Sequence, residues 1–514
     1  MKKQINQLRM GVVLSYLNLV LGSLIPFFYT PVMLRILGQA EYGLYSLSSS
    51  AISYLTLLSF GFGSTIIRYI AKYRAEGNKK AVENTFGFFL ILYSFLSVLV
   101  MLVGIAIANN VEPIFHRGLT VYELDKVHIL VLIMTFNTAL SFPVSVFSSV
   151  VLAYEKYIFR RLVDMISTVI VPIANLIALY LGFASVGMAV VSTILQLIML
   201  PLNIGYSFKC LHIRPKFSRL PSKLIHEMLG FSVYIFLGTL VDMLFWSTDK
   251  VILGMLTSSV VVAVYNVGGT FNNIVMNLST SISGVLTPRI TGMVIKKATK
   301  EKLTELFIRV GRIQYFIIAL IISGFTVFGQ TFIKLWAGSN YLDAYWIAIL
   351  TLFPLCIPLI QNTGMSIVVA QNKHQFRAKV YFIIAVTNVI STYIVVPYLG
   401  GIGAALCSCI SYLLGQGLIM NIYYYKITGI DIPMFWRNIA KMSIIPAVMM
   451  SIGLLLNKFI ILNNWFFFFV NVFIYTVIYC ILMYGFILNN YEKDIVRQPI
   501  NKLMQYIHAK NRKI

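Results

Sequence analysis

The chain has 514 residues, of which 59% are hydrophobic and only 11% are charged, and its mean hydropathy is +0.83. Soluble domains carry about 25% charged residues, so this composition excludes a soluble fold, and the apolar excess excludes a disordered chain. A net charge of +24 would indicate a nucleic-acid partner in a soluble protein. Here we expect an all-α polytopic membrane protein without a nucleic-acid partner.

Fourteen segments of the chain are apolar enough, and nearly all long enough, to be membrane spans, which need about 20 residues each. In chain order they are 10–34, 42–67, 84–108, 127–153, 162–182, 185–206, 228–247, 259–288, 312–333, 344–370, 378–397, 401–425, 442–458 and 464–489.

The basic residues test this count. With the N-terminus inside, 35 of the 41 Lys and Arg residues fall in cytoplasmic segments and 6 fall outside. Basic residues concentrate on the cytoplasmic side of membrane proteins. The alternation at every loop therefore predicts fourteen transmembrane helices with both termini cytoplasmic.

Short matches between the two halves indicate an internal repeat of six spans. The matched segments, at offsets of 216 to 220, are Ile36-Leu37-Gly38 with Ile252-Leu253-Gly254, Tyr45 with Tyr265, Ala153/Lys156/Phe159/Arg160 with Ala370/Lys373/Phe376/Arg377, and Tyr180-Leu181-Gly182 with Tyr398-Leu399-Gly400. An even number of spans gives both halves the same orientation. We expect two six-helix, parallel-repeat lobes around a central cleft, the architecture of an alternating-access transporter.

These observations divide the chain into five parts. They are an N-lobe at 1–208, a basic cytoplasmic linker at 209–226, a C-lobe at 227–426, spans thirteen and fourteen at 427–490, and a basic cytoplasmic tail at 491–514.

A polar stripe follows one face of the second and eighth spans. On the second span, residues 46, 50, 53, 57, 61, 64 and 68 recur at helical spacing, and adding 220 leads to Asn266, Asn273 and Asn277 on the eighth. Small polar residues also serve ordinary helix packing. Because amides are costly against lipid, we expect these three asparagines to face a hydrated cleft and to bind substrate.

Five arginines are candidate ligands for an anionic substrate, because the guanidinium fork suits phosphate groups. They are Arg68 and Arg289 at the cytoplasmic ends of the striped helices, the repeat-matched Arg160 and Arg377, and Arg35 on the outside, where basic residues are scarce. The concentration of positive charge inside the cell is a sufficient alternative explanation for all but Arg35.

Asp242 is the acidic residue placed well inside a span, where a carboxylate costs roughly 2.5–3.5 kcal/mol. It is a candidate for coupling transport to H⁺ or Na⁺, with a structural hydrogen bond as the alternative. Asp249 lies seven residues further along the same face and has Lys250 beside it, which is also typical of an interfacial ion pair. The sequence indicates no other cofactor and no metal site.

The pattern resembles the polysaccharide, Wzx-type branch of the multidrug/oligosaccharidyl-lipid/polysaccharide exporter superfamily. The similar stretches are RILGQAEYGLYSL (35–47), LSFGFGSTIIRYIAKY (58–73) and STDKVILGMLTSS (247–259). The resemblance implies a non-enzymatic flippase of the bacterial cytoplasmic membrane. Its substrate would be an undecaprenyl-pyrophosphate-linked oligosaccharide. A monomer is expected, with a polysaccharide polymerase and glycosyltransferases as partners.

Three other functions stay open at this point. A drug/cation antiporter of the same superfamily would be expected to bury more than one acid, and a peptidoglycan-precursor (lipid II) flippase has the same general features. A membrane glycosyltransferase or polymerase would need a large external loop, whereas the longest one predicted here, 109–126, has fewer than twenty residues.

Overall fold

The computed structural model describes residues 2–218, 222–296, 298–371, 373–457, 459, 464–495 and 497, without some of the side chains in these ranges. Every regular element in these ranges is helical, which confirms the prediction of an all-α protein. The α-helices are α1 (Lys2–Leu37), α2 (Gln39–Ser53), α3 (Phe62–Ala75), α4 (Lys79–Asn109), α5 (Val111–Phe115), α6 (Val121–Ala153), α7 (Tyr157–Tyr180), α8 (Ala184–Gly205), α9 (Ser222–Trp246), α10 (Thr248–Leu256), α11 (Ser259–Ile295), α12 (Lys300–Trp336), α13 (Ala344–Ile360), α14 (Asn362–Ala370), α15 (His374–Tyr412), α16 (Met420–Tyr423), α17 (Ile432–Leu456) and α18 (Trp465–Leu482). Short 3-10 helices lie at Tyr54–Ser59 and Ser339–Tyr341, and π-helical segments at Tyr206–Cys210, Leu413–Ile419, Tyr424–Thr428 and Met483–Ile487.

Apolar sequence becomes helix here because a chain in hydrocarbon must satisfy its own backbone hydrogen bonds. Within the described residues, eleven helices are long and apolar enough to cross a membrane, or twelve if the bent pair α13–α14 is one span. This supports a multi-pass protein. The predicted seventh span lies in α9, where part of the side chains are outside the described set, so the total of fourteen and the cytoplasmic termini stay predictions.

One continuous helical segment contains two of the predicted spans. Lys379–Thr428 has 50 residues, which at 1.5 Å per residue is about 75 Å, more than twice the ~30 Å hydrocarbon thickness. It bends at Gly400, whose φ of 54° and ψ of −137° are non-helical and favour glycine. The predicted spans 378–397 and 401–425 lie on either side of this bend.

The polar stripe on the second span requires one continuous α-helix, but the structure has a break in this span. After α2 the chain continues as the 3-10 helix Tyr54–Ser59, and Phe60 and Gly61 then take left-handed φ values of 47° and 67° before α3. A 3-10 helix has 3.0 residues per turn rather than 3.6. The expectation of one continuous polar face from residue 46 to residue 68 is therefore wrong.

Contacts divide the chain into two compact units. The first comprises 1–267 and 381–407, and the second comprises 268–380 and 408–514. The first unit thus combines the predicted N-lobe with α9, α10 and the start of α11. The lobes at 1–208 and 227–426 stay a prediction, and most of the predicted tail at 491–514 lies outside the described residues.

In the second unit, spans thirteen and fourteen pack on α12. Their shared core contains Val327 of α12, Met442 and Met449 of α17, and Tyr475 and Tyr479 of α18, all buried. The hydroxyl of Tyr479 also donates a hydrogen bond to the carbonyl oxygen of Phe316 at 2.8 Å. The two C-terminal spans are therefore an integral layer of this unit.

Local geometry supports the internal repeat. Phe159 stacks on Tyr206 with ring centroids 3.7 Å apart, and Phe376 stacks on Tyr423 at 4.5 Å, with interplanar angles of 10° and 8°. Each residue of the second pair stands 217 positions after its counterpart in the first pair. Gly182, the partner of Gly400, also has a positive φ of 84°.

Candidate functional site

The two striped helices meet within the first unit, at the ends predicted to be external. Nδ2 of Asn266 donates hydrogen bonds to the hydroxyl oxygens of Tyr42 at 2.6 Å and Ser46 at 3.0 Å. Both acceptors belong to α2 and are buried. The eighth span therefore faces the second at this end, while substrate binding by Asn266 stays a prediction.

The other two candidate asparagines lie in the second unit. Asn273 and Asn277 are four residues apart on α11, and both side chains are exposed. Their neighbour Asn272 is 1% exposed and donates a hydrogen bond to Thr351 Oγ1 at 3.0 Å. The exposed pair can reach a ligand, whereas Asn272 fastens α11 to α13.

A polar network lies around the bend between α13 and α14, and sequence reasoning missed two of its members, Asn421 and Trp436. Gln361 Nε2 donates to Asn421 Oδ1 at 2.7 Å, and Trp436 Nε1 donates to the same oxygen at 2.9 Å. Asn421 in turn donates to the carbonyl oxygens of Gln416 and Gly417. Side-chain hydrogen bonds thus connect the bend in span ten to α16 and α17.

The five candidate arginines have different surroundings. Arg35 and Arg68 are exposed, and the guanidinium of Arg68 lies 6.0 Å from the ring centroid of Tyr69. Arg377 is half-buried in the second unit. The side chain of Arg289 lies outside the described residues.

Arg160 already has protein partners. Its Nη2 lies 3.0 Å from Asp164 Oδ1, and its Nη1 donates to the hydroxyl of Ser148. The i, i+4 spacing of Arg160 and Asp164 was visible in the sequence as a helical ion pair. At the matched position in the second repeat, four residues after Arg377, stands Tyr381.

The two candidate coupling acids also differ. Asp242 in α9 is exposed. Asp249 is completely buried and accepts hydrogen bonds from Tyr265 Oη at 2.5 Å and Thr392 Oγ1 at 3.4 Å. This carboxylate links α10, α11 and α15 within the first unit.

Groups of His, Cys, Asp and Glu that could ligate a metal were absent from the described part of the chain. The cysteines Cys210, Cys356, Cys407, Cys409 and Cys480 form no disulfide there.

The sequence matches known proteins in two ways. Residues 8–294 match the family model of the polysaccharide biosynthesis proteins. The chain is also 23% identical over 365 residues to the uncharacterized membrane protein MJ1068 of Methanocaldococcus jannaschii, covering 69% of this chain and 72% of that protein.

The fold matches solved transporter structures. The lipid II flippase MurJ in an inward closed conformation has a TM-score of 0.72 and 16% identity, and the match covers 96% of this chain and 99% of that one. A multidrug resistance MATE family transporter of the MOP superfamily, in an inward-facing conformation, has a TM-score of 0.67 and 15% identity over 80% of this chain and 98% of its own. At these identities the likeness is one of fold.

Proposed function

The chain belongs to the polysaccharide biosynthesis protein family, and from that premise we propose that it is a flippase for a lipid-linked oligosaccharide. It moves undecaprenyl-pyrophosphate-linked repeat units from the inner to the outer leaflet of a bacterial cytoplasmic membrane by alternating access. The observation that carries the proposal is the family match over residues 8–294 on a flippase-like fold. A monomer is proposed, with glycosyltransferases and a polymerase as partners.

The chemistry of the candidate residues suits this substrate. A sugar diphosphate presents phosphate oxygens to guanidinium forks and hydroxyl groups to amides. In the second unit the exposed Asn273 and Asn277 carry amides, and in the first unit the exposed Arg35 and Arg68 carry positive charge. Arg160 of the first unit is paired with Asp164.

Two alternatives share the fold. A lipid II flippase fits it as well as an oligosaccharide flippase does. A drug/cation antiporter also shares the fold: an inward-facing MATE family transporter matches 80% of this chain, and the lipid II flippase matches 96%. A membrane glycosyltransferase or polymerase is disfavoured by the absence of a large predicted external loop.

The inner arginines provide the first test. Arg68→Ala and Arg289→Ala are each expected to lower surface polysaccharide about tenfold, since a hydrogen bond to a charged group contributes about 1.5–3 kcal/mol. Arg117→Ala, which removes an exposed arginine outside the candidate set, is the control and should export normally. Polysaccharide is measured at equal membrane levels of each protein. Normal export by both single variants and by the double variant would exclude this role.

Ion coupling provides the second test. We expect flipping by the unmodified protein in proteoliposomes to depend on an imposed pH or Na⁺ gradient, and Asp242→Asn to remove that dependence by removing the titratable charge. The same experiment on Asp249→Asn assigns the role between the two acids, and Asp125→Asn, an exposed acid of α6, is the control. Transport that ignores both gradients in the unmodified protein would contradict coupling.

A further inference from the structure

We propose that Glu123 and Ser259 form a latch that holds the predicted outer end of the transport path shut. The inference rests on the proposed transporter function and identifies the contacts that must separate when that end opens. Every contact involved lies within the first unit, between the predicted N-lobe and the segment α9–α11 that begins the predicted C-lobe. The outer seal is this latch together with the close contacts Gly43–Ser259 and Gly118–Gly254 and the hydroxyl pairs Ser53–Ser247 and Tyr54–Thr248.

The Glu123 carboxylate is held in a fixed orientation by its own helix. Its Oε2 accepts hydrogen bonds from the backbone nitrogen and the hydroxyl of Thr120, both at 2.9 Å, which completes a capping box at the start of α6. Oε1 remains for the other side of the seal and accepts a hydrogen bond from the hydroxyl of Ser259. Little conformational freedom is therefore lost when the latch closes.

Ser259 is the first residue of α11, a helix of 37 residues, and it is buried. Negative charge is stabilised at a helix N-terminus, where backbone N–H groups are unpaired and the helix dipole is positive. The Glu123 carboxylate thus meets both a hydroxyl donor and a favourable field. This gives the latch more strength than a contact between two neutral hydroxyls.

Glycines allow the backbones to meet beside the latch. A methyl group on Gly43 of α2 would overlap the carbonyl oxygen of Ser259, and one on Gly118 would overlap the carbonyl oxygen of Gly254. Both glycines belong to the predicted N-lobe, and both carbonyl groups belong to the other side. Such close approach leaves no room for a water layer between the two sides.

Further from the latch, neutral hydroxyl groups pair across the same boundary. Ser53 Oγ donates to Ser247 Oγ at 3.2 Å, and Tyr54 contacts Thr248. Hydroxyl groups exchange such partners for water at small net cost. These pairs therefore suit a boundary that must open repeatedly, and the charged latch governs how long it stays shut.

The carboxylate of Glu41, unlike that of Glu123, binds only residues of its own predicted lobe. Glu41 forms an ion pair with Lys126 and accepts a hydrogen bond from Ser185 at 2.5 Å, and all three residues belong to the predicted N-lobe. This cluster joins α2, α6 and α8 and does not cross the seal. It should persist when the seal opens, which makes Ser185 a matched control for Ser259.

The test measures closure directly. A Ser53→Cys/Ser247→Cys pair is introduced in a full-length chain whose five native cysteines are replaced by alanine, and disulfide formation in membranes is followed after adding an oxidant. We expect efficient cross-linking in the parent pair and an unchanged rate after Ser185→Ala. After Ser259→Ala the reaction should be about twofold slower, because a tenfold loss in the closing equilibrium constant takes a closed-to-open ratio of about 10:1 to about 1:1. The slower reaction follows because the sealed state is populated less.

Either of two results would overturn the proposal: no cross-link in the parent pair, or the same rate with and without Ser259→Ala. Cross-linking needs no substrate, so it separates this inference from the proposed function. If the rates respond as expected but oligosaccharide is not flipped, the latch stands and the substrate assignment fails. The cross-linked protein should regain activity after reduction wherever a transported substrate is known.

Discussion

Replacing Arg312 with methionine is expected to destabilise the protein by about 3–5 kcal/mol, because it leaves the buried charge of Glu492 without its partner. Arg312 Nε and Nη2 donate to the two carboxylate oxygens of Glu492 at 2.5 and 2.8 Å, and Nη2 also donates to the carbonyl oxygen of Ile487 at 3.1 Å. The two side chains are only 8% and 4% exposed. This pair fastens the segment after span fourteen to α12.

The measurement is thermal unfolding of the purified protein in detergent. Arg161→Met is the control, since its pair with Asp164 is far more exposed and should contribute less than about 1 kcal/mol. The double variant Arg312→Met/Glu492→Leu should recover most of the loss, because an apolar pair carries no buried charge. An Arg312→Met protein that unfolds at the parent temperature would show that the pair does not anchor this segment.

Substituting Gly43 with valine is expected to abolish export by preventing the outer seal from closing. The added side chain would overlap the backbone carbonyl of Ser259, which cannot yield as a flexible side chain can. We expect surface polysaccharide to fall at least about tenfold at equal membrane levels of protein, together with loss of the Ser53→Cys/Ser247→Cys cross-link.

Gly22→Val is the control for this variant. Gly22 lies within α1, and a Cβ atom there would meet no neighbouring atom within 4 Å. Gly22→Val therefore also places a β-branched residue in a helix, but without a steric overlap. Normal export by Gly43→Val would mean that the contact with Ser259 is unnecessary for transport.

The family and the fold class could be predicted from the sequence. The apolar segments had to become helices, because no other open-chain structure satisfies its backbone in lipid. The family resemblance based on residues 35–47, 58–73 and 247–259 is confirmed by the match over residues 8–294. The repeat-matched glycines Gly182 and Gly400 both adopt a positive φ, which also agrees with the repeat.

Breaks within spans were not predictable in the same way. A helix interrupted at Phe60 and Gly61 has the same apolar content as a continuous one, and a Ser/Gly spacing defines a single face only if the helix continues. The bend of 45° between α13 and α14 follows Pro354 and Pro358, but prolines within a span show only that a bend is favoured and do not tell whether the helix breaks. The apolar content of a segment predicts that it lies in the membrane, but it does not predict whether its helix is continuous.

Partners of the charged residues were predictable only when they were close in sequence. Asp164 stands one helical turn after Arg160, so that pair could be found from spacing. The contact between Glu123 and Ser259 joins residues 136 positions apart, and Arg312 with Glu492 spans 180. Contacts of this kind are created by the packing of whole helices and have no local pattern.

Flipping of a defined substrate by the purified protein tests the proposed function most directly. Proteoliposomes would contain an undecaprenyl-pyrophosphate-linked oligosaccharide whose inner-leaflet fraction is protected from an added glycosidase, with protein-free vesicles as the control. We expect this fraction to become cleavable in vesicles that contain the protein. If it stays protected while lipid II or a cationic drug is transported in parallel vesicles, the assignment to lipid-linked oligosaccharide is contradicted.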